Sequence, residues 1–142
     1  MIRMRYLLDT NICIAAMRNH AGVVAHMSVQ APDACAISTI TSYELYTGVN
    51  KCNDPAREGA KVAILLTTVR ELPFDSYAAQ EAATIRALLE LRGQAIGPYD
   101  VLLAGHALAA GLILVTDNTA EFARVPGLIL ENWKTVMAKP GN

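Results

Sequence analysis

Short apolar runs alternate along this chain with longer amphipathic segments that begin at polar residues. The apolar runs predict five short strands, over residues 5–8, 34–38, 69–74, 112–116 and 128–130. The segments between them predict helices over residues 10–17, 22–29, 42–48, 55–66, 77–91 and 98–110. Because strands and helices alternate, we expect a mostly parallel sheet with right-handed crossovers.

Polar residues and glycines at the ends of these segments support their limits. Thr10 or Asn11 is predicted to cap the first helix. Gly93 and Gly111 suit the ends of two later helices, because glycine readily adopts the left-handed conformation found there. No linker or repeat interrupts the pattern, so we expect one domain over residues 1–142, with a mobile tail from about residue 138.

Four carboxylates lie where a predicted strand ends or where the following helix begins. Asp9 directly follows the first strand and Asp117 follows the fourth, while Glu44 and Asp100 fall in the first turn or two of helices. In an open parallel sheet, the binding crevice lies outside the carboxyl ends of the strands, where the strand order reverses. If the first and fourth strands are neighbours, the four acids converge in that crevice.

Converging carboxylates predict a bound cation, because each pair repels by roughly 4 kcal/mol at an effective dielectric of about 20. Oxygen ligands without a matching His or Cys favour Mg²⁺ or Mn²⁺, and the chemistry typical of such sites is phosphodiester hydrolysis. We expect Asp9 and Asp100 to bind the metal, Glu44 to bind it or position water, and Asp117 to complete the site. Taken singly, each acid could instead be a helix cap or a turn residue.

Composition adds two expectations about the surface. The chain is 53% hydrophobic, 18% charged and 6% aromatic, which is typical of an aliphatic sheet covered by helices on both faces. So apolar a chain should expose an apolar patch that a partner or a second copy covers. The net charge of -1 does not indicate nucleic acid, so RNA would have to meet a local basic rim.

Cysteine content and hydropathy predict a soluble cytoplasmic protein. Cys13, Cys35 and Cys52 are odd in number and lack metal-binding spacing, so we interpret them as reduced thiols. The most apolar window, residues 101–115, is shorter than the roughly 20 residues that a membrane-spanning helix needs.

Four sequence blocks contain the acids. They are Tyr6-Leu7-Leu8-Asp9-Thr10-Asn11-Ile12-Cys13-Ile14, Ser42-Tyr43-Glu44-Leu45 with Gly48, Ile96-Gly97-Pro98-Tyr99-Asp100 with Ala104 and His106-Ala107, and Leu114-Val115-Thr116-Asp117-Asn118 with Glu121-Phe122. In content and order, these blocks resemble the PIN-domain ribonucleases of VapC type, which are the toxins of bacterial toxin–antitoxin pairs.

The resemblance implies an α/β/α sandwich with a mostly parallel sheet of about five strands. It implies an endoribonuclease dependent on Mg²⁺ or Mn²⁺, with its catalytic site on Asp9, Glu44, Asp100 and Asp117. Asn11 and Thr116 would hold the acids or waters in place. Similar members cut tRNA in the anticodon loop and thereby inhibit translation, with initiator tRNA as the first candidate. A homodimer is also implied, inhibited in a larger complex by a cognate VapB-type antitoxin that places a basic side chain in or near the cleft.

The fourth block departs from the family pattern. Similar toxins often have Thr-Asn-Asn or Thr-Asn-Asp where this chain has Thr116-Asp117-Asn118. Asp117 therefore either binds the metal or acts through water, and Glu121 competes with it for the role of fourth acid.

Other residues have two interpretations each. His106 lies among small apolar residues and is expected to be packed rather than catalytic. Arg86 and Arg92 could contact RNA phosphates or form a solvated helix face. Tyr99 could stack on an RNA base or cover the start of its helix. Trp133 is expected to close the core.

Two rival functions remain. A phosphatase with an aspartyl nucleophile would need a second Asp two residues after Asp9, where this chain has Asn11. A catalytically weak PIN-like interaction module would be expected to have lost some of the four acids, and all are present.

Overall fold

Five short strands form one sheet in the computed structural model, which describes residues 4–135. The strands are β1 (Tyr6–Leu8), β2 (Cys35–Ser38), β3 (Arg70–Leu72), β4 (Ile113–Val115) and β5 (Leu130–Glu131). The helices are α1 (Thr10–Met17), α2 (Ala21–Ser28), α3 (Thr39–Lys51), α4 (Pro55–Thr68), α5 (Ser76–Leu91), α6 (Pro98–Ala110) and α7 (Thr119–Phe122). Most of the predicted elements are present, with limits that differ by a few residues.

The strand order is β3-β2-β1-β4-β5, and every neighbouring pair is parallel. The chain builds outward from β1 to β3 and then crosses to the other side of β1, where Leu8 pairs with Val115. The strand order therefore reverses between β1 and β4. This confirms the expectation that the first and fourth strands are neighbours.

The alternation of side chains along the strands divides the core between the two faces of the sheet. Tyr6 and Leu8 of β1 face the core under α1 to α4, while Leu7 faces the core under α5 to α7. All three side chains are buried. The fold is thus a three-layer α/β/α sandwich with a parallel sheet of five strands, as the sequence and the resemblance predicted.

The prediction for the cap of the first helix was wrong. Asp9, not Thr10 or Asn11, caps α1, because its Oδ1 accepts a hydrogen bond of 2.8 Å from the Ile12 amide. Thr10 is already the first residue of the helix. The acid at the end of β1 therefore also fixes the start of α1.

The chain after β4 differs from the prediction in two ways. A one-turn helix, α7, was not predicted, and the last strand covers Leu130–Glu131 rather than residues 128–130. Gly127 adopts a positive φ of 78°, and after it the Ile129 carbonyl accepts a hydrogen bond of 2.9 Å from the Leu114 amide, with Leu130 as the first residue paired to β4. The predicted tail from about residue 138 lies outside the described residues.

Several smaller predictions hold. Trp133 is fully buried and contacts the rings of Tyr6 and His26. The three cysteines are free thiols. Within residues 4–135, no helix combines the length and the apolarity that crossing a membrane requires.

Candidate active site

Asp9 occupies the crevice where the strand order reverses, directly after β1. It is 4% exposed, and it receives hydrogen bonds from the Ile12 amide and from the side chain of Thr116, the residue after β4. Burial raises the pKa of Asp9 from 3.8 to about 6, although these two hydrogen bonds act against the rise. The charge of Asp117 raises it further and that of Lys134 lowers it. The site thus holds a buried carboxyl group that is incompletely compensated.

Glu44 is held towards Asp9 through the start of α1. The Thr10 hydroxyl donates a hydrogen bond of 2.7 Å to Glu44 Oε1, and it also lies 3.3 Å from the Thr41 hydroxyl. Glu44 lies in the second turn of α3 and is half-buried. Because Thr10 directly follows Asp9, this contact ties the second acid to the first. Sequence reasoning did not identify Thr10 as the partner of Glu44.

Asp100 lies in the first turn of α6, whose N-cap is Gly97. A Cβ atom on Gly97 would stand 3.2 Å from Asp100 Oδ2, so the glycine leaves room for the carboxylate. The pKa of Asp100 rises to about 6, first because of burial and then because of the charges of Glu121, Asp9 and Glu44. These four carboxyl groups therefore lie in one electrostatic field.

Glu121 reaches the same region from α7. Its carboxylate accepts 2.9 Å and 2.6 Å hydrogen bonds, the first from the Gly97 amide and the second from the side-chain amide of Asn118. These two bonds lower the pKa of Glu121, so the carboxylate stays charged next to Asp100. The acid is fixed at the start of the helix that carries Asp100.

Asp117 has a different environment. It is exposed, and its Oδ2 lies 2.8 Å from the Lys134 ammonium. The charge of Asp117 still acts on Asp9. The structure thus places Glu121 beside Asp100 and Asp117 on a rim with its own counter-charge.

The donor chemistry of this site suits a hard divalent cation, because it consists of carboxylate and hydroxyl oxygens. Among residues 4–135, no three His, Cys, Asp or Glu side chains form a ready-made ligand group. Mg²⁺ commonly takes only one or two protein carboxylates and keeps several waters, so a site with Asp9 and Asp100 as the protein ligands is compatible with that mode of binding.

The remaining residues singled out in the sequence lie around this centre or away from it. Asn11 is exposed, and the contact to Glu44 comes from the neighbouring Thr10. Thr116 is buried, bonds to Asp9 and accepts a hydrogen bond of 3.0 Å from the amide of Asn118.

His106 is packed, as predicted. Its Nδ1 lies 2.8 Å from the Ser38 hydroxyl, its ring contacts Phe74 edge-on, and burial lowers its pKa. Arg86 forms an exposed 2.9 Å ion pair with Glu90, and Arg92 is the exposed C-cap of α5.

Tyr99 is 42% exposed, so it is not a buried cover for the start of α6. Its hydroxyl lies 3.3 Å from that of Tyr43 on α3, and this hydrogen bond is the main cause of its raised pKa. Sequence reasoning missed Tyr43. The available signal was that each tyrosine directly precedes an acid of the site, Glu44 in one case and Asp100 in the other.

Comparisons with known proteins agree with this fold. The family model for the PIN domain matches residues 6–128. A protein of Shigella flexneri named tRNA(fMet)-specific endonuclease VapC is 40% identical over 131 residues, which are 92% of this chain and 98% of that protein. A protein of the same name from Salmonella typhimurium is 37% identical over 130 residues, with the same coverage of each chain.

A solved structure gives the same result. The DNA-bound VapBC complex of Salmonella typhimurium contains a chain that is similar to this one with a TM-score of 0.88 and 36% identity. The similarity covers 92% of this chain and 99% of that chain. The chain therefore belongs to the PIN-domain family and, within it, to the VapC proteins.

Proposed function

We propose that this protein is a divalent-metal-dependent endoribonuclease that cleaves initiator tRNA and so inhibits translation. The observation that carries the proposal is a pair of acids near the point where the strand order reverses, the buried Asp9 and the half-buried Asp100, in which burial raises each pKa to about 6. The substrate is inferred from two relatives named tRNA(fMet)-specific endonucleases, which this chain matches over 98% of their length. The anticodon loop is the region in which we expect the cut.

Asp9 and Asp100 are the residues that would hold Mg²⁺ or Mn²⁺. Such an ion would supply Lewis-acid chemistry, polarising a phosphoryl oxygen of the RNA and lowering the pKa of water at the site. Glu44 would orient that water, because Thr10 fixes its carboxylate beside the start of α1. Glu121 adds a fourth charged oxygen group beside Asp100.

The hydrogen bonds around these acids keep them in place before the substrate binds. Thr116 and the Ile12 amide hold Asp9, while the Gly97 amide and Asn118 hold Glu121. Catalytic groups that are already oriented need no reorganisation during the reaction, which is a large part of how enzymes stabilise transition states.

An antitoxin is the proposed regulator. The similar Salmonella chain was solved in a VapBC complex, and this chain leaves an apolar groove of about 570 Å³ between α1, α2 and α4. We define the apolar groove by Met17, Val24, Met27, Ile64 and Leu65. Val24 and Ile64 are 41% and 66% exposed, so the groove could bury an apolar segment of a VapB-type protein. The expected homodimer remains a prediction, which light scattering would test.

RNA cleavage is the direct test of the proposed activity. Purified protein without antitoxin should cut total RNA in Mg²⁺ or Mn²⁺ at discrete positions, and sequencing of new 5′ ends should place them in initiator tRNA. Asp9→Asn and Asp100→Asn should each lower the rate by about 100-fold or more, because metal binding supplies several kcal/mol of transition-state stabilisation. EDTA should have the same effect. Uncut RNA from folded, metal-binding protein would favour the interaction module instead.

The identity of the fourth acid can be tested with two matched variants. Glu121→Gln should slow cleavage by more than about tenfold, because it removes charge next to Asp100. Asp117→Asn should slow it by less than about tenfold, since Lys134 already neutralises that rim position. The measurement is the single-turnover rate on initiator tRNA. The reverse ranking would assign the role to Asp117.

The stability of the metal-free protein should depend on pH in an unusual direction. The pKa of Asp9 is about 6 in the folded chain against 3.8 for the free side chain, so the folded state binds the extra proton. The free energy of unfolding should therefore fall by about 3 kcal/mol from this group as pH rises from about 3 to about 7, and then level off.

Asp9→Asn should raise the free energy of unfolding of the metal-free protein by about 1–3 kcal/mol at pH 7.5 and leave it unchanged near pH 4. Asparagine can still cap α1, so the gain comes from removing buried charge. The control is Asp117→Asn, which should give no gain because Asp117 is exposed and paired. Denaturant titrations at both pH values make the comparison, and an Asp9→Asn protein less stable than wild type at pH 7.5 would contradict it.

Antitoxin binding can be separated from catalysis at the apolar groove. Ile64→Glu should weaken copurification with the cognate antitoxin at least about tenfold, because it places a charge against a buried apolar segment. Ile129→Glu is the matched control, since Ile129 is 63% exposed and does not line the groove. RNA cleavage by the antitoxin-free variants should match wild type. Equal antitoxin binding by both variants would place the partner elsewhere.

A further inference from the structure

Two tyrosines form a pair at the edge of the acidic site. Tyr43 of α3 and Tyr99 of α6 have their ring centroids 5.7 Å apart at an angle of 48°, and their hydroxyl oxygens are 3.3 Å apart. The rings are 54% and 42% exposed. Tyr43 directly precedes Glu44 and Tyr99 directly precedes Asp100, so the pair joins the two helices that carry these acids.

Charge at this site does not explain how RNA would be held there. The chain has a net charge of -1, and among residues 4–135 the two cations whose charges act on the acids already have partners. Lys134 is paired with Asp117, and Arg124 donates a hydrogen bond of 3.2 Å to the carbonyl of Ala95. Affinity for a substrate strand must therefore draw on contacts other than free positive charge.

Exposed aromatic rings provide such a contact, because the unstacked bases of single-stranded RNA stack on them largely without regard to sequence. We propose that Tyr43 and Tyr99 stack an unpaired base of the RNA strand and thereby position the adjoining phosphate at the acidic site. This inference rests on the proposed ribonuclease function and adds the means by which the strand is held. Tyr46 lies three residues after Tyr43, on the same side of α3, and is 50% exposed, so it extends the aromatic surface.

The surroundings of the pair support this role over a purely structural one. The two hydroxyls bond to each other at an exposed position, so the pair satisfies its own polar groups. Both rings keep about half of their surface in contact with solvent. A pair that served only to join α3 and α6 would gain more by burying that surface.

The test measures RNA binding separately from cleavage. Fluorescence anisotropy would report the binding of a labelled oligoadenylate and of an abasic strand of the same length and charge, with Ca²⁺ in place of Mg²⁺ to prevent cleavage. A Tyr43→Ala/Tyr99→Ala protein should bind oligoadenylate about tenfold more weakly than wild type and bind the abasic strand equally well. Tyr43→Phe/Tyr99→Phe keeps the rings and should stay within about twofold of wild type.

Tyr77→Ala is the control for an exposed tyrosine outside the pair, since Tyr77 lies on α5 and is 73% exposed. It too should bind oligoadenylate within about twofold of wild type. Melting temperatures of all variants should agree, because none of these rings is buried. Equal binding of oligoadenylate by wild type and the double alanine variant would overturn the inference, as would a wild type that does not prefer oligoadenylate to the abasic strand.

Cleavage kinetics distinguish this inference from the proposed function. If initiator tRNA is cleaved, the double alanine variant should raise KM with little change in kcat, as expected when a contact binds substrate and transition state alike. Unchanged KM with normal wild-type cleavage would overturn the stacking role alone. If wild type cleaves no RNA, the proposed function fails, and the oligoadenylate measurement still decides whether the pair binds bases.

Discussion

The parallel pairing of β1 with β4 is the contact on which the site depends. It continues one residue beyond β1, where the Asp9 amide donates a hydrogen bond of 3.0 Å to the Val115 carbonyl. This bond fixes the backbone of Asp9 against the end of β4, and the next residue along, Thr116, then reaches the Asp9 carboxyl group. Because β2 occupies the other side of β1, the reversal in strand order can only lie here. The crevice between the ends of β1 and β4 is thus where the buried Asp9 lies.

A buried carboxyl group at that position opposes folding unless something compensates its charge. The chain supplies hydrogen bonds from Thr116 and the Ile12 amide, yet burial still dominates and the pKa remains raised. Around Asp100, the nearby charges of Glu121, Asp9 and Glu44 all act in the same unfavourable direction. A site in which neighbouring acids add to the raised pKa of a carboxyl group is typical of functional sites, where local stability is given up for chemistry. The electrostatics of Asp9 and Asp100 therefore favour a bound cation, and this argument does not depend on the family.

The sequence was sufficient to predict the architecture because each strand and long helix has a local signature. The helix over Pro98–Ala110, for example, has a proline in its first turn and Gly111 in the left-handed conformation at its end. The one-turn helix α7 was missed, because four residues are too few to show helical periodicity. Because α7 was not predicted, the sequence did not show that Glu121 lies beside Asp100. Glu121 was predicted only as a competitor of Asp117 for the role of fourth acid. One of the two hydrogen bonds to Glu121 comes from the Gly97 amide, 24 residues away, and no local sequence pattern indicates such a pairing.

The same limit applies to partners that are distant in sequence. The four acids themselves could be proposed from the sequence as candidates, because each follows a strand or lies near the start of a helix. Lys134 is separated from Asp117 by 17 residues, and the hydroxyls of Tyr43 and Tyr99 meet across 56 residues. Such pairs depend on how α3, α6 and the chain after β5 come together at one edge of the sheet. Local sequence could show that these side chains were available, but not which of them would meet.

The ion pair between Lys134 and Asp117 divides the acids into two groups. On the rim, Asp117 has a counter-charge of its own, so the chain already satisfies it without any added cation. At the centre, Asp9 and Asp100 have raised pKa values. The charge of Lys134 lowers the pKa of Asp9 less than either hydrogen bond to Asp9 does. A cation entering the crevice would gain most by moving to the uncompensated centre, since the rim offers a carboxylate whose charge is already shared. Asp117 departs from the family pattern, but its charge is already balanced by Lys134. The departure therefore need not alter how Asp9 and Asp100 would bind a cation.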